Sequence, residues 1–312
     1  MNGAYIGKLM EIAAKDHNVV HLLADSGTGY DEMFRRNFPD QIYNFGIAEQ
    51  NMVSAAAGMA TAGKTPFVFT AGAFLAYRSM EFIRDDVCFQ NLNVKIVGMG
   101  SGLSWSSLGP THHTTEDISV LRALPNLMIL SPATPNQTAA CVLRAYNYNG
   151  PVYIKIGMNK EKEFYQDNCE IDELGMDVVR DGTDCSVFVT GSILEEVVEA
   201  ADNLEQEGFS LKVINVVSVK PFNQLAAIHY MIDDKPVFTV EEHNIHGGLG
   251  SILAETVSYN GLNKRIIPVG LNDCFAEGYG THKSVRLSNH LDSVSIAGVI
   301  REHIDDNERI LI

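Results

Sequence analysis

Short runs of apolar residues alternate with longer amphipathic stretches along the first half of the chain. The pattern predicts strands at Val19–Leu23, Pro66–Thr70, Val94–Val97, Met128–Leu130 and Val152–Ile156. Helices are predicted at Ala48–Ala62, Phe74–Gln90, Ile118–Ala123 and Pro135–Tyr146. This alternation is typical of βαβ units around a parallel sheet, so residues 1–160 are predicted to form one α/β domain.

The periodicity is lost over residues 161–182, which are polar and are therefore predicted to be a linker. It resumes with predicted strands at Ser186–Thr190, Leu211–Val216, Pro236–Glu241 and Arg265–Val269. The helices predicted between them include Ile193–Glu207 and Leu249–Tyr259. The fold class expected is therefore α/β, with two doubly wound domains, the second at residues 183–312.

Composition and charge narrow the range of functions. The 312 residues are 46% hydrophobic, which excludes a disordered chain, and the net charge of −16 argues against binding to nucleic acid or to an anionic membrane. The apolar stretch Gln50–Tyr77 is broken at Gly63–Pro66, so no membrane span is predicted. Five widely spaced cysteines and an N-terminus without an export signal predict a cytoplasmic protein, and no metal site is predicted.

Sites in open α/β sheets form at the carboxyl ends of strands, so the loops after the strands hold the candidate residues. The first loop is Ala24–Gly29, which contains Asp25 and two glycines. It lacks the third glycine of a dinucleotide-binding fingerprint. From the residues alone, Asp25 is interpreted as a turn or helix-cap residue rather than a ligand-binding one.

Glu49 begins a helix that is rich in alanine and glycine. Such small side chains allow close packing, so Glu49 is expected to be drawn into the interior, where a carboxylate needs a ligand or a proton. The next predicted helix places Phe74, Tyr77 and Met80 on one face. This face is expected either to stack under a flat heteroaromatic ring or to pack into the core.

The loop Gly98–His113 is long, rich in glycine and free of charged residues, which favours a functional loop over a simple connection. It ends in His112 and His113, for which no third zinc ligand is evident. His112 is therefore predicted to contact substrate or act in catalysis. The glycines at Gly247–Gly250 are interpreted as a strand-to-helix turn without a catalytic role.

Several motifs in order resemble the transketolase family, and the resemblance covers essentially the whole chain. The segment Asn44–Met52 resembles the family's Gly-Ile-x-Glu-[His/Gln] motif, and it is followed by Gly109-Pro110-Thr111-His112, Leu124-Pro125-Asn126, Ser218-Val219-Lys220-Pro221, Val240-Glu241-Glu242-His243 and Gly247-Gly248-Leu249-Gly250. The chain contains no Gly-Asp-Gly, the family motif that holds the thiamine diphosphate tail through Mg²⁺. It therefore resembles the smaller, C-terminal subunit of a split transketolase, with pyrimidine-binding and C-terminal domains.

The resemblance implies a role for each candidate residue. Glu49 matches the glutamate that hydrogen-bonds the aminopyrimidine of thiamine diphosphate and favours its imino tautomer. Phe74 and Tyr77 match the aromatic surface under that ring, and Met80 stands where many members have an aromatic residue. Asp25 matches an aspartate near the thiazolium. His112 matches a catalytic histidine near the reacting carbon, and His113 is a substrate candidate beside it.

The resemblance also implies a partner. A second subunit is expected to bind the diphosphate and to supply most of the ligands of the Mg²⁺ ion, so the two subunits share the cofactor. Two copies of each subunit are expected to form a hetero-tetramer. The reaction implied is transfer of a two-carbon ketol unit from a ketose, often a phosphate, to an aldehyde sugar. Sugar-phosphate transketolases have a histidine, an aspartate and a phosphate-binding arginine where this chain has Gly100, Leu108 and Met158, so an unusual acceptor is expected.

Three alternatives remain open at this stage. The glutamate motif is shared by 1-deoxyxylulose-5-phosphate synthase and by the β chain of 2-oxoacid dehydrogenases. A non-catalytic paralogue that keeps the fold is the third. The motif Gly109-Pro110-Thr111-His112 favours transketolase over the two other enzymes. Retention of Glu49, Phe74, Tyr77 and His112 together argues against a non-catalytic chain.

Overall fold

The computed structural model describes residues 1–26 and 29–309, and two β-sheets organise it. The strands of the first unit are β1 (Val19–Leu23), β2 (Ile42–Asn44), β3 (Thr65–Ala71), β4 (Lys95–Met99), β5 (Met128–Leu130) and β6 (Val152–Ile156). They are joined in parallel in the order β5-β6-β4-β3-β1-β2. Strands β1, β3, β4 and β6 are buried along their whole length, as expected for a parallel sheet covered on both faces.

Helices cover both faces of this sheet. They are α1 (Asn2–Ala13), α2 (Gly29–Asn37), α3 (Glu49–Thr61), α4 (Met80–Phe82), α5 (Asp117–Leu121) and α6 (Pro135–Asn147), with a 3₁₀ turn at Pro39–Gln41. Alternate residues of β3 enter different cores: Phe67 and Phe69 join one apolar cluster, whereas Val68 joins the other. The strands are thus anchored from both sides, which holds their carboxyl ends in a fixed position.

The second unit contains a five-stranded sheet. Its strands are β7 (Met176–Arg180), β8 (Cys185–Thr190), β9 (Leu211–Val216), β11 (Val237–Asn244) and β12 (Ile266–Leu271), in the order β12-β11-β8-β9-β7. All neighbours are parallel except β7, which pairs antiparallel with β9. Its helices are α7 (Leu194–Gln206), α8 (Gln224–Tyr230), α9 (Leu249–Tyr259), α10 (His282–Ser288) and α11 (Ser293–Arg309), with a 3₁₀ turn at Gly191–Ile193. The predicted α/β fold class, with two mainly parallel sheets, is confirmed.

Strand β2 is not among the strands predicted from the sequence, and two further strands differ from the prediction. Strand β7 lies within 161–182, which is predicted to be a linker, but it forms an edge of the second sheet. Strand β10 (Ser218–Lys220) follows β9 in the chain yet pairs antiparallel with β5 of the first sheet. Both strands are short or half-exposed, so neither has a run of apolar residues long enough to stand out in the sequence.

The two units share apolar contacts. Leu103 and Ala133 belong to the buried core of the second unit, although both lie in the first half of the chain. Val217 and Val219, on either side of Ser218, enter the two cores of the first unit. The loop that contains Leu103 is therefore held by the second unit. Among the described residues, no helix is both long and apolar enough to span a bilayer.

Candidate functional site

The carboxyl ends of the parallel strands bring the predicted site residues to one edge of the first sheet. Asp25 follows β1, Glu49 follows β2, Phe74 follows β3, and the loop to His113 follows β4. The strand order β4-β3-β1-β2 makes these four loops neighbours. This edge is where open α/β sheets place their ligands.

Glu49 is the first residue of α3 and is only 1% exposed. Glu49 is buried with the rest of this helix face, because the core contains four further residues of α3: Met52, Val53, Ala56 and Ala57. Its Oε2 accepts a hydrogen bond from Nη1 of Arg78 at 2.8 Å. The position next to the amino end of a helix also favours a negative charge. Arg78 is not among the site residues predicted from the sequence.

The segment after β3 is not the regular helix predicted for Phe74–Gln90. Phe74–Arg78 and Ile83–Cys88 are π-helical, with α4 between them. The wider turns change which side chains share a face, because hydrogen bonds reach one residue further than in an α-helix. Phe74 and Tyr77 line a surface groove together, whereas Met80 packs against the core cluster that contains Val68. π-Helical turns often occur at functional sites.

The groove has a volume of about 470 Å³ and is formed by both units. Its lining residues come from the π-helical segment, from the end of the glycine-rich loop and from the second unit: Ala73, Phe74, Tyr77, Arg78, Pro110, Thr111, Glu116, Val120 and Phe275. Phe275 is contributed by the second unit and is 73% exposed. The guanidinium of Arg78 lies 4.7 Å from the centre of the Phe74 ring, so the cation is stacked on the aromatic face.

Tyr77 is held in place by Glu116. Its hydroxyl donates to Glu116 Oε2 at 2.8 Å and accepts from the Glu116 backbone N–H at 2.9 Å. Burial of the hydroxyl, together with the nearby carboxylates of Asp117 and Glu116, raises the pKa of Tyr77. The side chain is therefore a neutral phenol at physiological pH, and it presents a flat apolar surface to the groove.

His112 and His113 point to different surroundings, as expected for adjacent residues in a loop. The His112 ring lies 5.0 Å from that of Phe74, and its Nδ1 is 2.9 Å from Thr111 Oγ1. His113 is 2% exposed, and burial lowers its pKa. Neither ring nitrogen of His113 has a hydrogen-bond partner within the described part of the chain. The structure thus brings the His112 ring into contact with the Phe74 ring. Substrate contact by His113 stays a prediction.

Asp25 lies at the carboxyl end of β1 with a left-handed backbone (φ +49°) and an exposed side chain. Its N–H donates to Asn44 Oδ1 at 3.1 Å, and the same oxygen accepts from Gly46 N–H at 2.9 Å. Asn44 thereby ties the end of β1 to the turn that leads to Glu49. Gly27 and Thr28 of the same predicted loop lie outside the described residues.

Leu108 and Met158, two of the positions that differ from the sugar-phosphate transketolase pattern, lie in different surroundings. Leu108 is 45% exposed, and Met158 packs against the core cluster that contains Phe67. Lys155, which is close in sequence to Met158, is buried and donates to Asp117 Oδ1 at 2.6 Å and to the carbonyl of Thr114 at 3.0 Å. That ammonium group is therefore engaged within the protein and does not substitute for a surface phosphate clamp.

The donors and acceptors present fit the aminopyrimidine half of a thiamine cofactor. A buried carboxylate, that of Glu49, accepts a hydrogen bond from Arg78, and Arg78 stacks on Phe74, which lines the groove together with Tyr77. A flat ring with N–H donors is complementary to that pair of features. Among the described residues, no group of three or more histidine, cysteine, aspartate or glutamate side chains is placed to hold a metal ion.

Comparisons with known proteins agree with this geometry. The family model for the transketolase pyrimidine binding domain matches residues 2–159, and that for the transketolase C-terminal domain matches residues 175–289. The chain is 38% identical over 280 residues to an apulose-4-phosphate transketolase subunit of Actinobacillus succinogenes, covering 89% of this chain and 90% of that relative.

A solved structure of a split gene transketolase, described as an inactive β4 tetramer, has a TM-score of 0.86 and 31% identity, with 97% of both chains covered. A 1-deoxy-D-xylulose-5-phosphate synthase of Carboxydothermus hydrogenoformans is 35% identical over 275 residues, but the match covers only 43% of that enzyme. The resemblance seen in the sequence is thus confirmed: the chain belongs to the transketolase family of transferases and corresponds to the smaller, C-terminal subunit of a split transketolase.

Proposed function

We propose that this chain binds the pyrimidine half of thiamine diphosphate and, with a partner subunit, transfers a two-carbon ketol unit from a ketose to an aldehyde sugar. Membership of the transketolase family implies dependence on this cofactor. When bound, the cofactor supplies the carbon nucleophile that carries the two-carbon unit between the sugars. The observation that supports the proposal most strongly is the buried Glu49, linked to Phe74 through Arg78, at the end of the sheet where ligands bind.

Glu49 is proposed to hold a proton at a ring nitrogen of the pyrimidine. Its position at the start of α3 and its ion pair with Arg78, which lines the groove, hold the carboxylate in place. Phe74 and Tyr77 are proposed to support the flat face of the ring, with Asp25 at the neighbouring strand end beside the thiazolium. Met80 is not proposed to contact the ring, because it packs into the core.

His112 is proposed to contact the reacting sugar. Its Nδ1 is occupied by Thr111 Oγ1, which leaves Nε2 for a substrate oxygen. A histidine in that position can donate a proton to, or accept one from, a sugar hydroxyl. The contact with Phe74 places this imidazole next to the proposed pyrimidine surface, so that cofactor and substrate groups adjoin.

A partner subunit is proposed to bind the diphosphate and the Mg²⁺ ion. The matched family models are the pyrimidine-binding and C-terminal domains, and the relative from Actinobacillus is itself named as one subunit of a transketolase. Two copies of each subunit are proposed to form a hetero-tetramer. The small residues of α3, which allow close packing against a second copy, support this. The cysteines are all free thiols, which supports a cytoplasmic location.

The chain alone is expected to bind thiamine diphosphate weakly, and addition of the partner is expected to restore tight binding. Charge-assisted contacts to the diphosphate and Mg²⁺ contribute most of the cofactor's affinity, and the partner is proposed to make them. Titration calorimetry with Mg²⁺ present, with and without the partner, measures the difference. A dissociation constant in the micromolar range or below for the isolated chain would contradict the shared site.

Reconstitution with the partner tests the reaction itself. The pair is expected to transfer a ketol unit, but from xylulose 5-phosphate to ribose 5-phosphate with a kcat/KM below about 10⁴ M⁻¹s⁻¹, under the usual range of enzymes. The reason is that Leu108 and Met158 are both apolar and Met158 packs against the core, so these positions offer no group that recognises a hydroxyl or a phosphate. A set of modified aldehyde sugars should include a better acceptor.

Three outcomes of that assay would overturn parts of the proposal. Efficient transfer to ribose 5-phosphate would show that the altered positions do not change the acceptor. Release of CO₂ from pyruvate in the presence of glyceraldehyde 3-phosphate, without ketol transfer, would favour the synthase reaction. Absence of both reactions in a pair that binds the cofactor would favour a non-catalytic subunit.

A further inference from the structure

The hydroxyl group of Thr111 contacts the ring of His112 directly. Its oxygen Oγ1 lies 2.9 Å from Nδ1 of His112. Within the part of the chain that the structure describes, the hydroxyl makes no other hydrogen bond. Thr111 is exposed and lines the groove together with Phe74 and Phe275. The contact therefore lies at the wall of the proposed cofactor site, next to the histidine that is proposed to contact the sugar.

Two aromatic neighbours and the main chain hold the His112 ring in place. The ring lies 5.0 Å from that of Phe74, edge to face, and 5.9 Å from that of Trp105. Trp105 occupies the space beside Gly100, where a Cβ atom would lie 2.0 Å from the indole Nε1. The backbone N–H of His112 donates to the carbonyl of Gly109 at 2.9 Å. These contacts fix the ring on two sides and keep Nδ1 beside Thr111.

The second ring nitrogen of His112, Nε2, remains available to a ligand. It makes no hydrogen bond to any described residue. It is not fully buried, in contrast to both ring nitrogens of His113, and the His112 side chain as a whole is half-buried. A ligand at this edge of the sheet can therefore reach Nε2, whereas Nδ1 is already engaged by Thr111.

The direction of the hydrogen bond between Thr111 and His112 decides which ring nitrogen holds the proton. A neutral imidazole has one N–H, and its other nitrogen accepts, whereas a threonine hydroxyl both donates and accepts. A hydroxyl hydrogen directed into the groove would lose water as its acceptor once a cofactor covers the wall, and an unpaired donor is costly. Donation to Nδ1 avoids that loss, because this nitrogen is already within hydrogen-bond distance.

We propose that Thr111 is a positioning residue that donates its hydroxyl hydrogen to Nδ1 of His112 and thereby keeps the imidazole proton on Nε2. His112 then presents an N–H donor, and not a lone pair, to an oxygen of the ketose. The inference rests on the proposed function for the identity of this substrate. The location of the imidazole proton is a property of the chain itself and is measured without turnover.

The first test locates the His112 proton by NMR. Histidine labelled with ¹⁵N is incorporated into the full chain, and His112→Gln assigns the His112 signals among those of the ten histidines. Spectra are recorded at about pH 8.5, where a free imidazole is neutral, before and after addition of unlabelled partner and cofactor. The wild type is expected to carry the proton on Nε2. A wild-type proton on Nδ1 would overturn the inference.

Two substitutions of Thr111 separate its hydroxyl from its shape. Thr111→Val keeps the volume but removes the hydrogen bond, so the ratio of the Nδ1–H form to the Nε2–H form is expected to rise about fivefold. Thr111→Ser keeps the hydroxyl and is expected to retain the wild-type ratio. An unchanged ratio in Thr111→Val would contradict the role of the hydroxyl, and so would the same change in both variants.

Kinetics of the reconstituted enzyme test the consequence for the substrate. Thr111→Val is expected to lower kcat/KM for xylulose 5-phosphate about fivefold to tenfold, with cofactor affinity changed less than about twofold, and Thr111→Ser is expected to restore it. A loss of cofactor affinity that accounts for the whole effect would indicate a distorted loop and contradict the proposal. If the wild-type holoenzyme transfers no ketol unit, the proposed function fails, and the donor role of His112 toward a ketose fails with it. The NMR result alone then decides whether Thr111 sets the position of the proton.

Discussion

Replacement of Glu49 by glutamine is expected to lower the kcat of the reconstituted enzyme by about 10²–10⁴-fold, the usual contribution of a positioned acid–base group. Glutamine has nearly the same shape, so the packing of α3 into the core through Val53 and Ala56 is retained. The change removes the negative charge that faces Arg78 and the proposed pyrimidine nitrogen. Hydrogen–deuterium exchange at C2 of the bound cofactor measures the affected proton transfer directly.

The fold is expected to tolerate this change. The Arg78 side chain is 43% exposed, so loss of its ion pair with Glu49 should cost about 1 kcal/mol or less. Glu81→Gln is the matched control, because Glu81 is an exposed glutamate on the same segment as Arg78. It is expected to leave both exchange and turnover unchanged. Wild-type exchange rates in the Glu49 variant would refute the proton role.

Truncation of Glu242 to alanine is expected to lower the free energy of unfolding by about 3–5 kcal/mol, because it leaves a buried cation without its partner. Glu242 accepts from His282 Nε2 at 2.8 Å, from Arg286 Nε, and from the backbone N–H of Leu103 at 2.9 Å. The last contact joins the second unit to the glycine-rich loop. Arg286 keeps a second pair with Glu196 at 3.2 Å, so the loss should fall at the lower end of that range. Equilibrium unfolding in urea at pH 7 measures the change.

The lowered pKa of Glu242 predicts that the free energy of unfolding depends on pH. Burial alone would raise the pKa of Glu242, but Arg286 and His282 outweigh it and hold the pKa well below its usual range. A carboxyl group whose pKa is lowered by folding stabilises the protein above its unfolded pKa, about 4.3, and loses that contribution as the pH falls toward the folded pKa. The wild type is therefore expected to lose more stability than Glu242→Gln between about pH 5 and pH 2.

The exposed pair of Glu207 and Arg301 is the control for this prediction. Both side chains are 41% exposed, and Glu207→Ala is expected to change the free energy of unfolding by less than about 1 kcal/mol. If Glu207→Ala and Glu242→Ala lowered the free energy of unfolding by similar amounts, burial of the Glu242 ion pair would not explain its expected contribution. A pH profile of Glu242→Gln that parallels the wild type would contradict the assigned pKa shift.

Much of the fold follows from the local pattern of the sequence. The strands observed at Val19–Leu23, Met128–Leu130, Val152–Ile156 and Leu211–Val216 have the bounds predicted for them, because fully buried parallel strands are continuous apolar runs. Glu49 is predicted from the small-residue helix that follows it. Its burial in the structure agrees with that prediction. Short-range periodicity is enough for such features, since each depends mainly on residues within a few positions along the chain.

Contacts between residues distant in sequence determined the features that the local pattern does not predict. The partners of Glu49 and Lys155 are 29 and 38 positions away, and β10 pairs with a strand nearly 90 positions earlier. The π-helical turns that separate Met80 from Phe74 and Tyr77 lie against α3 and α5, and the spacing of apolar residues does not predict these contacts.

The sequence by itself therefore determined the α/β class, the two parallel sheets and the family motifs around Glu49 and His112. The tertiary structure decided which charges pair, which face Met80 takes and how Trp105 comes to lie against Gly100. The physical reason is that a hydrophobic pattern specifies which side of an element is buried, whereas a side-chain pair depends on the packing of elements distant in sequence.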